Sequence, residues 1–490
     1  MTSSHHNSTV SKRIAGVYLI SDNKSGAQLY QQVSAAIDGG VQVVQFRDKQ
    51  RRRGDKLPDA VALRQLCHKT GTMFIINDDI ELARQCNADG VHLGQQDGSV
   101  AAARSTLGTS AVIGVSTRTT RQALKAQMDG ADYIGVGSIY PTGTKQDAVH
   151  IGVDKLREIR RAVQLPIVAI GGIDASNMDA PLGAGADAVA VVSAIMDNPA
   201  PTRAAHEMAL QFRRRQPLPC GSVLSVAGSD SGGGAGIQAD IKTITLLGGY
   251  ASSAITAVTA QNTCSVTAIH PLPADFVRQQ METVLDDIAI DVIKTGMLHN
   301  GEIITTVADI VRQHKALTVI DPVMVATSGD NLFQHQALLA LREQLLPCSY
   351  LLTPNIPEAE KLCDCAITSV AAMEKAARIL RDMGAANVLL KGGHLAAEPV
   401  DVLLYGDKLH HFCSERIPAT STHGTGCTSA AAIATLLAQG QALPRAVALA
   451  KQFISSAIAT AIPIGGGHGP VNHYSASRKL ADQLNCGRHH

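Results

Sequence analysis

SVAGSDSGGGAGIQAD, residues Ser225 to Asp240, is the stretch on which the reading of this chain turns. It has the form of a strand end, a glycine-rich turn and a helix start, the layout of many phosphate-binding loops. A P-loop needs Gly-x-x-x-x-Gly-Lys-[Ser/Thr], and Ile237 and Gln238 follow Gly236 instead. A dinucleotide fingerprint could open at Gly232 and Gly234, but Ile237 takes the place of its third glycine. What remains is a plain surface turn or a backbone that must approach something closely.

The run stands near the middle of 490 residues, more than one ordinary domain needs. Phe212 to Ser222, FRRRQPLPCGS, is basic, then broken by prolines, and reads as a linker. We therefore expect two α/β domains, residues 1–215 and 216–490. Composition is that of a globular protein, 45% hydrophobic and 17% charged. A net charge of +1 and the absence of Trp give no sign of nucleic-acid or membrane binding. No apolar run is long enough to span a bilayer, and MTSSHHNSTVSKR lacks a signal-peptide core. Cys363 and Cys365 have no second pair with which to hold zinc. A reduced, cytoplasmic setting is expected.

In the first domain, short apolar runs alternate with helical patterns. They are Gly16–Ile20, Val41–Phe46, Met73–Asn77, Gly90–Gly94, Ala111–Ser116, Tyr133–Gly137, Ile167–Gly172 and Ala188–Ser193. Eight such units predict a (β/α)8 barrel, whose active site lies at the C-terminal strand ends. Those ends carry Gln45, Arg47 and Lys49, then Asn77 and Asp78, Gln95 and Asp97, Ser116, the YPTGTK loop to Lys145, Gly171 and Gly172, and Ser193. Cations beside two carboxylates suit a magnesium pyrophosphate: Mg2+ takes carboxylate and phosphate oxygens, and Arg47 can grip phosphate bidentately. The Gly-Gly turn and Ser193 fall at the customary phosphate site of this fold. Each feature has a plainer reading alone. An Asp can cap a helix, Arg47-Asp48-Lys49 can be a solvated charge run, and Thr142 and Thr144 can be turn residues. Their coincidence at successive strand ends favours a site.

QFRDK, INDDIELA, DGVHLGQQD, GVSTRT, DYIGVGSIYPTGTK, VAIGGI and AVVSAI together resemble thiamine phosphate synthase over most of residues 13–200. The resemblance implies that Gln45, Phe46, Arg47, Asp48, Lys49, Asn77, Ser116 and Lys145 bind a pyrimidine diphosphate. It implies that Asp78 and Asp97 hold Mg2+, and that Thr142, Gly143, Thr144, Gly172, Val192 and Ser193 hold a thiazole phosphate. Pyrophosphate would leave the aminopyrimidine methylene, Mg2+ and the cations offsetting its charge, with Lys145 at the reacting centre, before the thiazole nitrogen attacks.

The second domain repeats strand and helix through SVLSVAG, TAVTAQNT, VIKTGML, TVIDPVM, LLTPNIPEAE, NVLLKGGH and THGTGCTSAAAIATLLA, which predicts a doubly wound sheet. Gly424, Thr425, Gly426 and Cys427 open a long Ala-rich helix, a better anion hole than the earlier glycine run. The set is similar to the ribokinase-like superfamily, and specifically to hydroxymethylpyrimidine/phosphomethylpyrimidine kinase, over 222–474. By that resemblance Gly228, Asp240 and Gln261 line a pyrimidine site, so the opening glycine run faces the acceptor and not the nucleotide. Asn355 and Glu358 organise Mg2+ and the phosphates of ATP, Lys391 neutralises transferring charge, and Cys427 stands where many relatives in the superfamily have an aspartate base. The thiol can be activated by the helix N-terminus or be inert. The resemblance implies small-molecule partners only, and homo-oligomerisation stays open. Rival readings are a thiazole tautomerase or a ligand-sensing barrel, and a pyridoxal-type kinase.

Overall fold

The computed structural model describes residues 14–142, 149–324, 331–393, 395, 399–419 and 421–486, without the side chains of 215, 331–334 and 481–486. The chain divides into two compact units, one ending at Phe212 and one beginning at Arg213.

Eight strands close the first unit into a barrel. They are β1 (Gly16–Ile20), β2 (Val43–Phe46), β3 (Met73–Asn77), β4 (Gly90–Leu93), β5 (Val112–Thr117), β6 (Tyr133–Gly137), β7 (Ile167–Ile170) and β8 (Ala188–Val191). Neighbours pair in parallel, and β1 closes on β8 with Val17 opposite Val189. Each run expected from the sequence is a strand, some of them shorter by one or two residues.

Alternation along the strands sorts the side chains. Val17 and Leu19 join the apolar layer shared with the surrounding helices, while Tyr18 and Ile20 belong to a separate cluster inside the barrel. The same period places Gln45 inside with Val43, Asn77 with Met73 and Ile75, and Ser116 with Val112. Phe46 goes the other way and packs in the outer layer, so only its backbone remains for a ligand at the mouth.

The second unit is built on nine strands: β9 (Ser222–Asp230), β10 (Tyr250–Gln261), β11 (Val266–Pro271), β12 (Val292–Thr295), β13 (Leu317–Ile320), β14 (Leu351–Leu352), β15 (Val388–Leu390), β16 (Val400–Tyr405) and β17 (Lys408–Cys413). Their order is 11-10-9-12-13-14-15-16-17. The centre from β10 to β15 is parallel, whereas β11, β16 and β17 join antiparallel at the two edges. Leu224 and Val226 of β9 and Ile293 of β12 face the helices Ala274–Asp287 and Gly301–Gln313. Ser225 and Lys294, register partners on those strands, point to the opposite face, which carries the helices Gly236–Leu246 and Thr425–Ala438.

Among the described residues no helix is long and apolar enough to cross a membrane. The cysteines with described side chains are free thiols.

Candidate active sites

At the barrel mouth three side chains from successive strand ends meet. Lys49 Nζ lies 3.0 Å from Asp78 Oδ2. Asp97 shares a hydrogen bond with Asp78 and accepts the Gly94 N–H at 3.0 Å. Burial and the neighbouring Asp78 carboxylate raise the Asp97 pKa above its ordinary value, against the Gly94 N–H and Lys49. The capping role open to an aspartate here falls to the next residue, Asp79, whose side chain accepts the Leu82 N–H. Asp78 itself takes φ 63°, an uncommon angle for a residue with a side chain. Its N–H donates to the His92 carbonyl at 2.8 Å, anchoring the bend at the end of β3.

Arg47 donates its backbone N–H to Ser21 Oγ at 2.8 Å, and its guanidinium has no ion-pair partner among the described residues. Asp48 is buried and structural: it accepts the N–H groups of Gln50 and Arg51 and pairs with the Arg51 guanidinium. Gly172, at φ 63°, leaves no room for a side chain, because a β-carbon there would lie 2.4 Å from the Pro141 carbonyl. It therefore holds the end of β7 against the loop that leads into Thr142. Val192 precedes the short helix Ser193–Met196, so Ser193 stands at a helix start. Gly143, Thr144 and Lys145 lie outside the described residues.

In the second unit the glycine run has an occupant of its own. The Asp230 carboxylate accepts the N–H groups of Gly232 at 2.8 Å, Gly234 at 3.0 Å and Ala235 at 2.8 Å. His423 Nε2 lies 3.0 Å from the same carboxylate, and Gln261 Nε2 lies 3.3 Å from His423. The donors that a phosphate loop would offer a ligand are thus committed to an internal acid. The turn also touches the anion-hole turn, since a β-carbon on Gly424 would meet the Gly234 carbonyl at 1.9 Å. Gly424 has φ 82° and precedes the helix Thr425–Ala438, which begins at the expected position.

Beside that helix start sit Lys391 and Asp321, 2.9 Å apart. A β-carbon on Gly426 would lie 3.5 Å from Asp321 Oδ2 and 3.6 Å from Lys391 Nζ. Burial acts to lower the Lys391 pKa, but Asp321 and Glu358 outweigh it and hold the ammonium charged. Lys391 bridges to Asn355 through its backbone, and Asn355 and Glu358 form a reciprocal capping box on the helix Ile356–Cys363. Burial pushes the Glu358 pKa up to about 7, with Lys391 opposing and Asp321 adding to the rise.

Beneath lies a fully buried pair: Lys294 Nζ is 2.8 Å from Asp240 Oδ2, and Ser225 Oγ donates to the same oxygen at 2.5 Å. The Asp240 carboxylate is therefore spent on Lys294 and Ser225. Burial pushes the Cys427 thiol up to about 11, only partly opposed by Lys294. Burial thus acts against the thiolate form of Cys427, and Lys294 and the Gly236 N–H favour it less strongly. Asp230, Lys294, Asp321 and His423 were not identified from the sequence as site residues, although the DPVM and KTGML segments that carry Asp321 and Lys294 stood out as landmarks.

Glu358 gives a testable pH dependence. Its folded-state pKa of about 7 lies above the ordinary 4.5, so the native state binds the proton more tightly than the unfolded chain. The stability it contributes is complete below about pH 4.5 and is lost as pH rises through about 7. Denaturant titrations should show this slope in the wild type and a flatter one in Glu358→Gln, which keeps the capping geometry. Equal slopes would refute the assignment.

The sequence model of the thiamine monophosphate synthase family matches residues 17–195, and that of phosphomethylpyrimidine kinase matches 230–472. Over 472 residues the chain is 51% identical to the thiamine biosynthesis bifunctional protein ThiED of Geobacter sulfurreducens, covering 96% of each. It is 48% identical over 262 residues to the hydroxymethylpyrimidine/phosphomethylpyrimidine kinase of Haemophilus influenzae, which covers 52% of this chain and 97% of the relative. An ADP complex of Bacillus subtilis pyridoxal kinase superposes with a TM-score of 0.50 at 36% identity, covering 52% of this chain and 98% of that one.

Proposed function

The chain belongs to the bifunctional thiamine biosynthesis family that joins a thiamine phosphate synthase to a hydroxymethylpyrimidine/phosphomethylpyrimidine kinase, and from this premise we propose which residues carry each reaction. The kinase activity uses ATP to convert 4-amino-5-hydroxymethyl-2-methylpyrimidine through its monophosphate to the diphosphate. The synthase activity condenses that diphosphate with 4-methyl-5-(2-phosphoethyl)thiazole, releasing pyrophosphate and giving thiamine phosphate. The substrates are small molecules.

In the synthase, Arg47 and Lys49 hold the diphosphate, with Lys145 assigned to it by resemblance. Asn77, Gln45 and Ser116 face inward toward the pyrimidine, and Gly172, Val192 and Ser193 receive the thiazole phosphate beside Thr142. Asp78 and Asp97 suit Mg2+: their carboxylates interact at the mouth beside Lys49, and Mg2+ commonly takes one or two carboxylates and completes its shell with phosphates and water. When bound, Mg2+ supplies positive charge to the departing pyrophosphate. The meeting of Lys49, Asp78 and Asp97 at one mouth carries this reading.

In the kinase, the N–H groups of Gly424, Gly426 and Cys427 face the transferring phosphoryl, that of Thr425 being bonded to the Thr422 carbonyl, with Lys391 balancing the charge and Asn355 and Glu358 beside the ATP phosphates. Gly228 and Gln261 line the acceptor site, and Asp240 supports it from below through Lys294. Loose phosphoryl transfer needs little base assistance. Cys427, protonated near neutral pH, supplies its backbone N–H and not a thiolate. Cys427→Ser should accordingly keep the single-turnover rate within about tenfold from about pH 6 to 9, against the hundredfold or so expected for losing a transition-state contact. A loss that large, with a new pH dependence, would restore the thiolate.

The whole reading is tested by incubating the full chain with the pyrimidine alcohol, ATP, Mg2+ and thiazole phosphate. Thiamine phosphate and pyrophosphate should accumulate together, and pyridoxal should be a poorer phosphate acceptor than the pyrimidine alcohol. Absence of thiamine phosphate, or preference for pyridoxal, would overturn it.

A further inference from the structure

Below the barrel mouth runs an unbroken chain of hydrogen bonds through five strands. Gln45 Nε2 on β2 donates to the Tyr18 hydroxyl on β1 at 3.0 Å. The Tyr18 and Tyr133 hydroxyls, on β1 and β6, are 2.9 Å apart. The Tyr133 hydroxyl lies 3.0 Å from His92 Nδ1 on β4, and His92 Nε2 lies 2.9 Å from Ser116 Oγ on β5. Both phenols are buried, and the strands leave space for them. A β-carbon on Gly114 would lie 2.1 Å from Tyr133 Cζ and 2.5 Å from His92 Nδ1, and one on Gly135 would lie 3.0 Å from His92 Cε1. A side chain at Gly114 would displace the chain of hydrogen bonds, and one at Gly135 would press on His92.

The orientation of the Gln45 amide, Nε2 toward Tyr18, sets the direction of the others, since each hydroxyl can donate or accept and the imidazole can take either tautomer. An amide nitrogen can only donate, so Tyr18 accepts from Gln45 and its single hydrogen goes to Tyr133. Tyr133 then donates to His92 Nδ1. The neutral imidazole carries its proton on Nε2 and donates to Ser116, which leaves the serine hydrogen to point onward. The two ends thus differ: Gln45 presents the carbonyl Oε1, an acceptor, and Ser116 presents an O–H donor. A 4-aminopyrimidine has the complementary pattern, an amino donor on one side of the ring and the N1 acceptor opposite.

We propose that Tyr18, Tyr133 and His92 are positioning residues that set the hydrogen-bond polarity of Gln45 and Ser116, so that the barrel takes an aminopyrimidine diphosphate and rejects its oxo counterpart. This rests on the reading above that Gln45 and Ser116 face the pyrimidine. A 4-oxo group would put an acceptor against Gln45 Oε1, and a buried site with mismatched polar groups discriminates strongly. None of the three acts on the reacting atoms.

The test uses the full chain and two probes, the 4-amino and 4-oxo pyrimidine diphosphates. In Tyr133→Phe the chain is cut, Tyr18 is free to turn its hydroxyl onto Gln45, and His92 loses the donor that fixes its tautomer. The ratio of kcat/KM for amino over oxo substrate should fall about tenfold or more, the effect of roughly one hydrogen bond to a polar site. The KM for thiazole phosphate and the kinase rate should not move. An unchanged ratio overturns the proposal. A second measurement needs no variant: the 15N resonances of His92 in the wild-type chain should report the Nε2–H tautomer, and an Nδ1–H ring overturns the proposed direction. If the wild type forms no thiamine phosphate from the amino compound, the synthase reading itself fails, while the tautomer still reports on the chain.

Discussion

Lys391→Ala should lower single-turnover phosphoryl transfer by about a hundredfold while condensation of ready-made pyrimidine diphosphate continues at the wild-type rate. The ammonium is held by Asp321 at 2.9 Å and stands beside the first turn of the helix Thr425–Ala438, where the proposed assignment puts the transferring phosphoryl. A preorganised cation gains importance as charge develops on the transferring group, and losing one such contact costs about 3 kcal/mol. The substitution also strips Asp321 and Glu358 of their shared counter-charge, so some loss of stability should accompany the loss of rate. Single-turnover measurement at saturating substrate separates the two, because a folded fraction changes amplitude and a missing cation changes the rate constant. An unchanged rate constant would sink the role of Lys391.

Asp78→Asn and Asp97→Asn should each cut condensation by roughly a thousandfold, since metal-ion charge stabilisation is worth several kcal/mol. Asparagine is the better choice at position 78, because φ 63° strains most side chains and asparagine tolerates it. The rate lost should be partly recovered by raising Mg2+ if the carboxylates act through the metal. The kinase rate, which depends on the other unit's residues, should not change. Wild-type condensation by both variants under limiting Mg2+ would show the assignment to be wrong.

The barrel was legible because its eight apolar runs alternate with helices and most are closed or followed by polar or glycine residues. The sequence reading put Gln45, Asn77 and Ser116 at strand ends, and the inner-face side of each strand became visible only with the closed barrel. Strand alternation, applied to Phe46, would have sent its side chain outward; grouping it with its neighbours by motif missed this. In the second unit the antiparallel edges went unseen, because β16 and β17 carry no marker that distinguishes an edge hairpin from another parallel strand. Asp321 and Lys294 lie in segments noticed for their pattern, but what makes them matter is partnership across 70 and 54 residues with Lys391 and Asp240. Linear sequence holds no trace of those pairings. Tyr18, His92 and Tyr133 were hidden for a related reason: each looks like an ordinary strand residue until the barrel closes and brings them into line.

The carboxylate of Asp230, wrapped by three backbone N–H groups and braced by His423, changes when the glycine turn becomes ordered. A loop that waits for an anionic ligand loses its conformational entropy on binding, and affinity is diminished by that amount. Here the anion is covalently part of the chain, so the entropy is given up once, during folding. On the assignment proposed above, the acceptor meets a wall already in place, and its binding free energy remains available for orienting the hydroxyl that attacks. Amide hydrogens of Gly232, Gly234 and Ala235 should exchange as slowly without substrate as with it.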